Sequence, residues 1–211
     1  MTFSCVEHTN DKPTRRKVFL KEMDKIVPWQ AIMEEIEPYY YHNTRGRKAI
    51  ELEIMIRMYL LQNWFNLSDE GIEDAIYDSI SMQEFMKIDL LEQRVPDATT
   101  VLHFRRILEA NNLGEKIFNR INKIMEEKGK LLSGGTVVDA SIIEAPCSTK
   151  NKDEKRDQQM HSTKKGNQFY FGMKTHIGVD ARSGMVHTVI ATAANVSDIS
   201  QTKNLVRDRK S

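Results

Sequence analysis

One aspartate stands inside a run that otherwise has the character of a β-strand: Thr136-Val137-Val138-Asp139-Ala140-Ser141-Ile142-Ile143. Aspartate is depleted in strands. A carboxylate drawn into a sheet is costly unless it is paired or bound to a metal. On a sheet with one face open to a cleft, Asp139 is therefore a candidate ligand for a divalent cation. The competing reading is an aspartate on a solvated face, since Ser141 shares its side, and the strand alone leaves both open. Asp198 could also ligate a metal, but its place before a short helix suits a cap. Asp180, in Asp180-Ala181-Arg182-Ser183-Gly184, suits a turn. Lys174 and His176 share one strand face, which is either a phosphate contact near Asp139 or a solvated surface. The two cysteines, Cys5 and Cys147, form no CxxC and have no evident histidine partners, which argues against zinc.

These side chains need a sheet to hold them. After Ser133-Gly134-Gly135 the hydrophobic period falls to two. Phe169, Phe171, Met173, Thr175, Ile177 and Val179 alternate with Tyr170, Gly172, Lys174, His176 and Asp180. Met185–Ala194 reads as the returning strand of a hairpin, and Ser197 or Asp198 then opens a helix. Between the first strand and this hairpin, residues 145–168 lack periodicity and read as a basic loop. Six bases there (Lys150, Lys152, Lys155, Arg156, Lys164 and Lys165) face three acids (Asp153, Glu154 and Asp157). A strand with a central aspartate, then a hairpin, then a helix is the order in which an RNase H-like fold begins.

Upstream the chain reads as helical. Ile117, Phe118, Ile121, Ile124 and Met125 form one stripe, closed by Gly129. Ser68 caps a helix whose predicted buried face is Ile72, Ala75, Ile76 and Ile80. Asp97 caps another with Val101, Phe104 and Leu108 inward. Asn111-Asn112-Leu113-Gly114 reads as a turn, and residues 49–65 as a central helix, apolar on most sides. The fold class is thus α+β. Residues 1–130 are expected as a helical domain. Residues 131–211 are expected as a partial RNase H-like domain, a three-stranded antiparallel sheet plus one helix, with the basic loop at 145–168.

The net charge of the 211 residues is +1 and announces no partner. Its distribution is uneven. Residues 49–92 carry ten acids and two bases, so the remainder is near +9. That asymmetry suggests a basic working side, with scattered solvated charge as the bland reading. Arg45, Arg47 and Lys48 lie beside Tyr39, Tyr40 and Tyr41, which could stack on nucleic acid or serve as core and rim. Arg105 and Arg106 follow Asp97 on one helix and could contact phosphate or bases, or form a solvated face. The apolar stretch 50–65 is interrupted by Glu51, Glu53 and Arg57, so no membrane span is expected, nor is a signal peptide visible. The cytoplasm, at the nucleoid, is the expected location.

Several long segments are similar to one family. Gly135-Thr136-Val137-Val138-Asp139-Ala140-Ser141-Ile142-Ile143-Glu144-Ala145-Pro146 resembles the first catalytic motif of bacterial insertion-sequence transposases of the IS-five type, within the IS-four superfamily. Lys164–Asp180 and Thr192–Asp198 resemble later landmarks of that family. Val95-Pro96-Asp97-Ala98-Thr99-Thr100 with Phe104-Arg105-Arg106 resembles its helical amino-terminal domain. The resemblance runs from about Arg45 onward.

That resemblance implies an Asp-Asp-Glu (DDE) transposase. It would bind two magnesium (or manganese) ions, hydrolyse a donor strand, and join the freed 3′-hydroxyl to target DNA. Asp139 matches the first carboxylate. The DNA-binding candidates are Arg45, Arg47, Lys48, Arg105, Arg106, Lys164, Lys165, Lys174 and His176. The implied partner is double-stranded DNA at inverted-repeat ends, bound by a homo-oligomer. The family's second Asp and its Glu motif do not occur in these 211 residues. Unit charges about 4 Å apart interact by about 4 kcal/mol at an effective dielectric near 20, so two divalent ions repel by roughly 16 kcal/mol. One carboxylate and one phosphate do not offset that, so this chain alone is expected to be inactive, with the strand at 136–143 left as an exposed edge. A non-enzymatic DNA-binding regulator of the full-length transposase is the alternative. The helical domain argues against an RNase H-type nuclease unrelated to transposition.

Overall fold

The computed structural model describes residues 13–40, 49–131, 135–146 and 156–206. Contacts gather the chain into two units, Met1–Ile121 and Asn122–Ser211, and the division falls inside a helix rather than after its end.

The first unit is helical. Its elements are α1 (Arg15–Ile26), α2 (Trp29–Ile36) with a 3-10 turn at Glu37–Tyr39, α3 (Leu52–Phe65), α4 (Asp69–Asp78), α5 (Ile80–Met86), α6 (Ala98–Ala110) and the first part of α7 (Leu113–Glu127). The helix starts follow from side-chain caps. Thr14 accepts from Lys17 N–H, Ser68 from Gly71 N–H, and Asp97 from Thr100 N–H at 2.7 Å. Each satisfies a donor that the helix itself leaves unpaired. As its composition predicted, α3 is the centre of the unit. Ile54, Met55, Ile56, Met58 and Leu61 are all buried, against a core that includes Leu20, Ile72, Ile76, Val101, Phe104 and Leu108.

A charge lies in that core. Arg57 is 1% exposed. Its guanidinium sits 3.9 Å from the centre of the Trp29 ring and 5.0 Å from that of Phe85. One nitrogen donates to the Phe85 carbonyl at 2.8 Å. Asp24 and Glu53 pair with it, each at 2.7 Å. One side chain thereby joins α1, α2, α3 and α5. The sequence showed Arg57 only as an interruption of an apolar stretch.

Two local expectations are corrected. Ile80 was expected on the buried face of one helix but is 65% exposed. The helix stops at Asp78, Ser79 turns extended (φ −118, ψ 104), and α5 restarts from a different direction. Gln83 donates to the carbonyls of Ile76 and Tyr77 that this break leaves open. Leu113 and Gly114, read as a turn, already belong to α7. The predicted close of that helix holds: Gly129 has φ +63, and Lys130 N–H donates to Met125 O.

The second unit is a sheet with one helix: β1 (Thr136–Glu144), β2 (His161–Lys165), β3 (Gln168–Asp180), β4 (Val186–Ala193) and α8 (Asp198–Leu205). All pairings are antiparallel, and all involve β3. On one edge β1 runs beside Gly172–Asp180. On the other, β2 pairs residues 168–172 and β4 pairs 173–179, end to end. The expected three strands are therefore four, because β2 lies inside the segment read as a loop. Its residues are mostly exposed, so it has no apolar alternation to reveal it.

Gly172 marks the handover from β2 to β4. Its φ of +155 and the 2.1 Å that a Cβ would leave to Ile143 O admit only glycine. Asp180 behaves as a turn residue, accepting from Arg182 N–H at 2.8 Å and Ser183 N–H at 3.2 Å. Among the described residues no helix is long and apolar enough to cross a membrane.

Three outcomes follow. Arg57→Ala removes a buried cation with its packing and should cost on the order of 3 kcal/mol. Urea unfolding read by tryptophan fluorescence tests this, and both tryptophans, Trp29 and Trp64, lie in the helical unit. The Lys87 hydrogen bond, then Arg57, holds the Glu53 carboxyl below the ordinary glutamate range against the opposing effect of burial. Its contribution is full above the unfolded pKa and disappears as pH falls through the lower folded one. Glu53→Gln should therefore flatten the loss of stability on acidification below about pH 4.5. Gly172→Ala should cost about 3 kcal/mol or more through strain and collision. Hydrogen exchange should then show β1 amides losing protection while α3 keeps its own.

Candidate functional site

Strand parity sorts the candidate residues. Asp139 pairs with Ile177, and Ser141 with Thr175. These four share a face of the sheet with Val137, Ile143, Met173 and Val189. Asp139 is exposed, as are Val137, Ile143 and Val189. The carboxylate is thus reachable from solvent at mid-strand, on a face that carries no described helix of its own unit. One of its oxygens accepts from Ala140 N–H at 2.8 Å.

Neighbours on this face are apolar or hydroxyl-bearing. Among the described residues no group of three or more His, Cys, Asp or Glu side chains is placed to hold a metal ion. Asp139 could supply one ligand, but the residues around it do not by themselves fit a divalent cation.

The opposite face is covered. Gly178 lets α8 approach, since a Cβ there would lie 2.7 Å from Leu205 O. Under the start of α8, His176 is 0% exposed. Its Nε2 lies 2.9 Å from Thr192 Oγ1, and its Nδ1 is 3.7 Å from an Asp198 oxygen. Lys174 donates to Val196 O at 2.9 Å and to the same Asp198 oxygen at 3.0 Å. The solvated-face expectation is therefore corrected: His176 is buried, and Lys174 is held by Asp198 and the Val196 carbonyl at the start of α8. Asp198 is the first residue of α8. It complements the helix dipole and anchors Lys174 rather than capping by its own side chain.

The other cations divide. Arg105 spends its guanidinium on Asp69, which also accepts from Gln62, so it ties α6 to α4. Arg106 is exposed and makes no ion pair among the described residues. Tyr39 and Tyr40 take the core-and-rim role. Lys116 donates to the Tyr39 hydroxyl, and Tyr40 donates to Ile50 O while packing edge-on to Phe104. Burial raises the Tyr40 hydroxyl pKa. Tyr41, Arg45, Arg47, Lys48, Cys5 and Cys147 lie outside the described residues.

Lys164 and Lys165 are both exposed on β2 but point to opposite faces. Lys164 pairs with Phe169, in phase with Asp139, and Lys165 pairs with Gln168. Arg156 and Phe169 were not singled out from the sequence as binding residues. The available signal was the sequence Lys164-Lys165-Gly166-Asn167-Gln168-Phe169, a turn pair between cations and an aromatic residue.

Comparison with known proteins finds two family matches along the chain. Residues 7–106 match the family described as a transposase domain (DUF772), and residues 131–210 match the transposase DDE domain. No solved structure matches the chain. A helical transposase domain followed by a DDE domain built around β3 is the domain pair of a DDE transposase, and this chain carries it.

Proposed function

We propose that the chain acts in DNA transposition as the amino-terminal part of an IS-five type transposase, with Asp139 as the first of its metal-binding carboxylates. The observation that carries this reading is a solvent-facing aspartate at mid-strand, on an uncovered face of the sheet within the segment matching the DDE domain. Magnesium or manganese would need further carboxylates beside Asp139, supplied by polypeptide outside residues 1–211. The helical unit would bind double-stranded DNA at the element's ends, using Arg106 and the basic cluster Arg45, Arg47 and Lys48. A homo-oligomer on DNA and a location at the nucleoid belong to the same reading.

The test is a supercoiled-plasmid nicking assay in magnesium. Residues 1–211 alone should bind duplex DNA without turnover. Fusing the missing carboxylate-bearing segment of a related transposase should restore nicking, and Asp139→Asn in that fusion should lower it by about 10³-fold or more. Turnover by residues 1–211 alone overturns the requirement for outside carboxylates. Undiminished nicking by the Asp139→Asn fusion overturns the role of Asp139. End-specific binding with no rescue would favour the regulator reading.

A further inference from the structure

Beyond Gly172, β3 continues with β2 as a two-stranded ribbon. Among the described residues the ladder there is between 161–165 and 168–172; β1 pairs with β3 from Gly172 onward, with Ala145 N–H donating to Phe171 O at 2.8 Å, and β4 from Met173. Gly166, at φ +61, makes the turn. Ribbons of this width fit the major groove of B-DNA. Phe169, at its end, is 71% exposed. The Lys164 ammonium lies 5.5 Å from the centre of the Phe169 ring, and the Arg156 guanidinium lies 5.4 Å from that of Phe171. Phe169 and Phe171 share strand parity with Ile177, the partner of Asp139. Two cations are thus held on aromatic rings, on the carboxylate's own face.

Resting on the DNA-binding reading above, we propose that this ribbon is a phosphate grip for duplex DNA. Arg156 and Lys164 are its contacts, and Phe169 and Phe171 are the platforms that hold them. The rings limit the freedom of both side chains, so less is lost when a phosphate is bound. Phe171 and Phe169 lie six and eight residues along β3 from Ile177, or about 20 and 26 Å at about 3.3 Å per residue. A duplex rising about 3.4 Å per base pair and lying along β3 would meet the ribbon about six to eight base pairs from the phosphate nearest Asp139. The grip would thereby set the distance between the site of DNA capture and the carboxylate. Lys165, on the other face of the ribbon, takes no part in it.

Binding of residues 1–211 to a 30-base-pair duplex, followed by fluorescence anisotropy from 50 to 200 mM salt, tests the proposal. Each phosphate contact contributes about 0.9 to the slope of log K against log salt, which over that range is about 3.5-fold in affinity. Arg156→Gln with Lys164→Gln should lower the slope by about 1.8, shrinking the salt-induced drop about 12-fold. Lys203→Gln removes an exposed charge from α8, on the covered side, and should leave the slope in place. A wild-type slope in the double variant, or an equal loss per charge in Lys203→Gln, overturns the ribbon while leaving DNA binding intact. A wild-type chain with no salt-dependent binding overturns the DNA-binding reading itself.

Discussion

The second unit depends on the register of β3. Every strand of the sheet is bonded to it, and its alternation decides which side chains α8 covers and which meet solvent. Antiparallel strands have a period of two, so a slip of one residue would exchange the faces and bring Asp139 beneath the helix. Three features fix the phase. Gly178 is where the end of α8 comes close, His176 fills the space under its start, and Gly172 is where β1 crosses too near for any Cβ. Asp139 is accessible because the sheet is pinned from its other side.

The helical unit is held in a different way. Its core is broad and apolar, and the buried Arg57 converts four helices into one arrangement by demanding partners from each. A desolvated guanidinium tolerates few geometries, since each unpaired donor costs about 1–3 kcal/mol. Arg57 therefore acts as a constraint on helix placement more than as a net source of stability. Asp69 works similarly at smaller scale, taking both Gln62 and Arg105.

These constraints shape the functional reading. Lys174, His176, Asp198 and Arg105 are polar residues engaged in holding the scaffold. Among the exposed charges are Asp139, with the ring-held cations Arg156 and Lys164 in phase with it on the sheet, and Arg106 on the helical unit. A phosphate backbone requires cations that are accessible and not already neutralised. Chemistry on that backbone requires carboxylates that are likewise unspent. The division between scaffold charges and presented charges is the division between the two roles.

Much of this was legible in the sequence because it rests on local rules. Ser68 and Asp97 announce their helices through capping, Gly129 closes α7, the alternation of 169–180 defines β3, and Asp139 stands out against its strand. Periodicity hid β2, because its residues are mostly exposed and so have no reason to alternate. It also misled at Ile80, where a one-residue break redirects the helix. Which of two faces a helix covers is not written in the alternation itself, which is symmetrical between them. Only packing decided that Lys174 and His176 go under α8 while Asp139 stays open. Only packing, too, decided that Arg57 lies inside, since long-range partners at Asp24 and Phe85 have no signature in the local sequence.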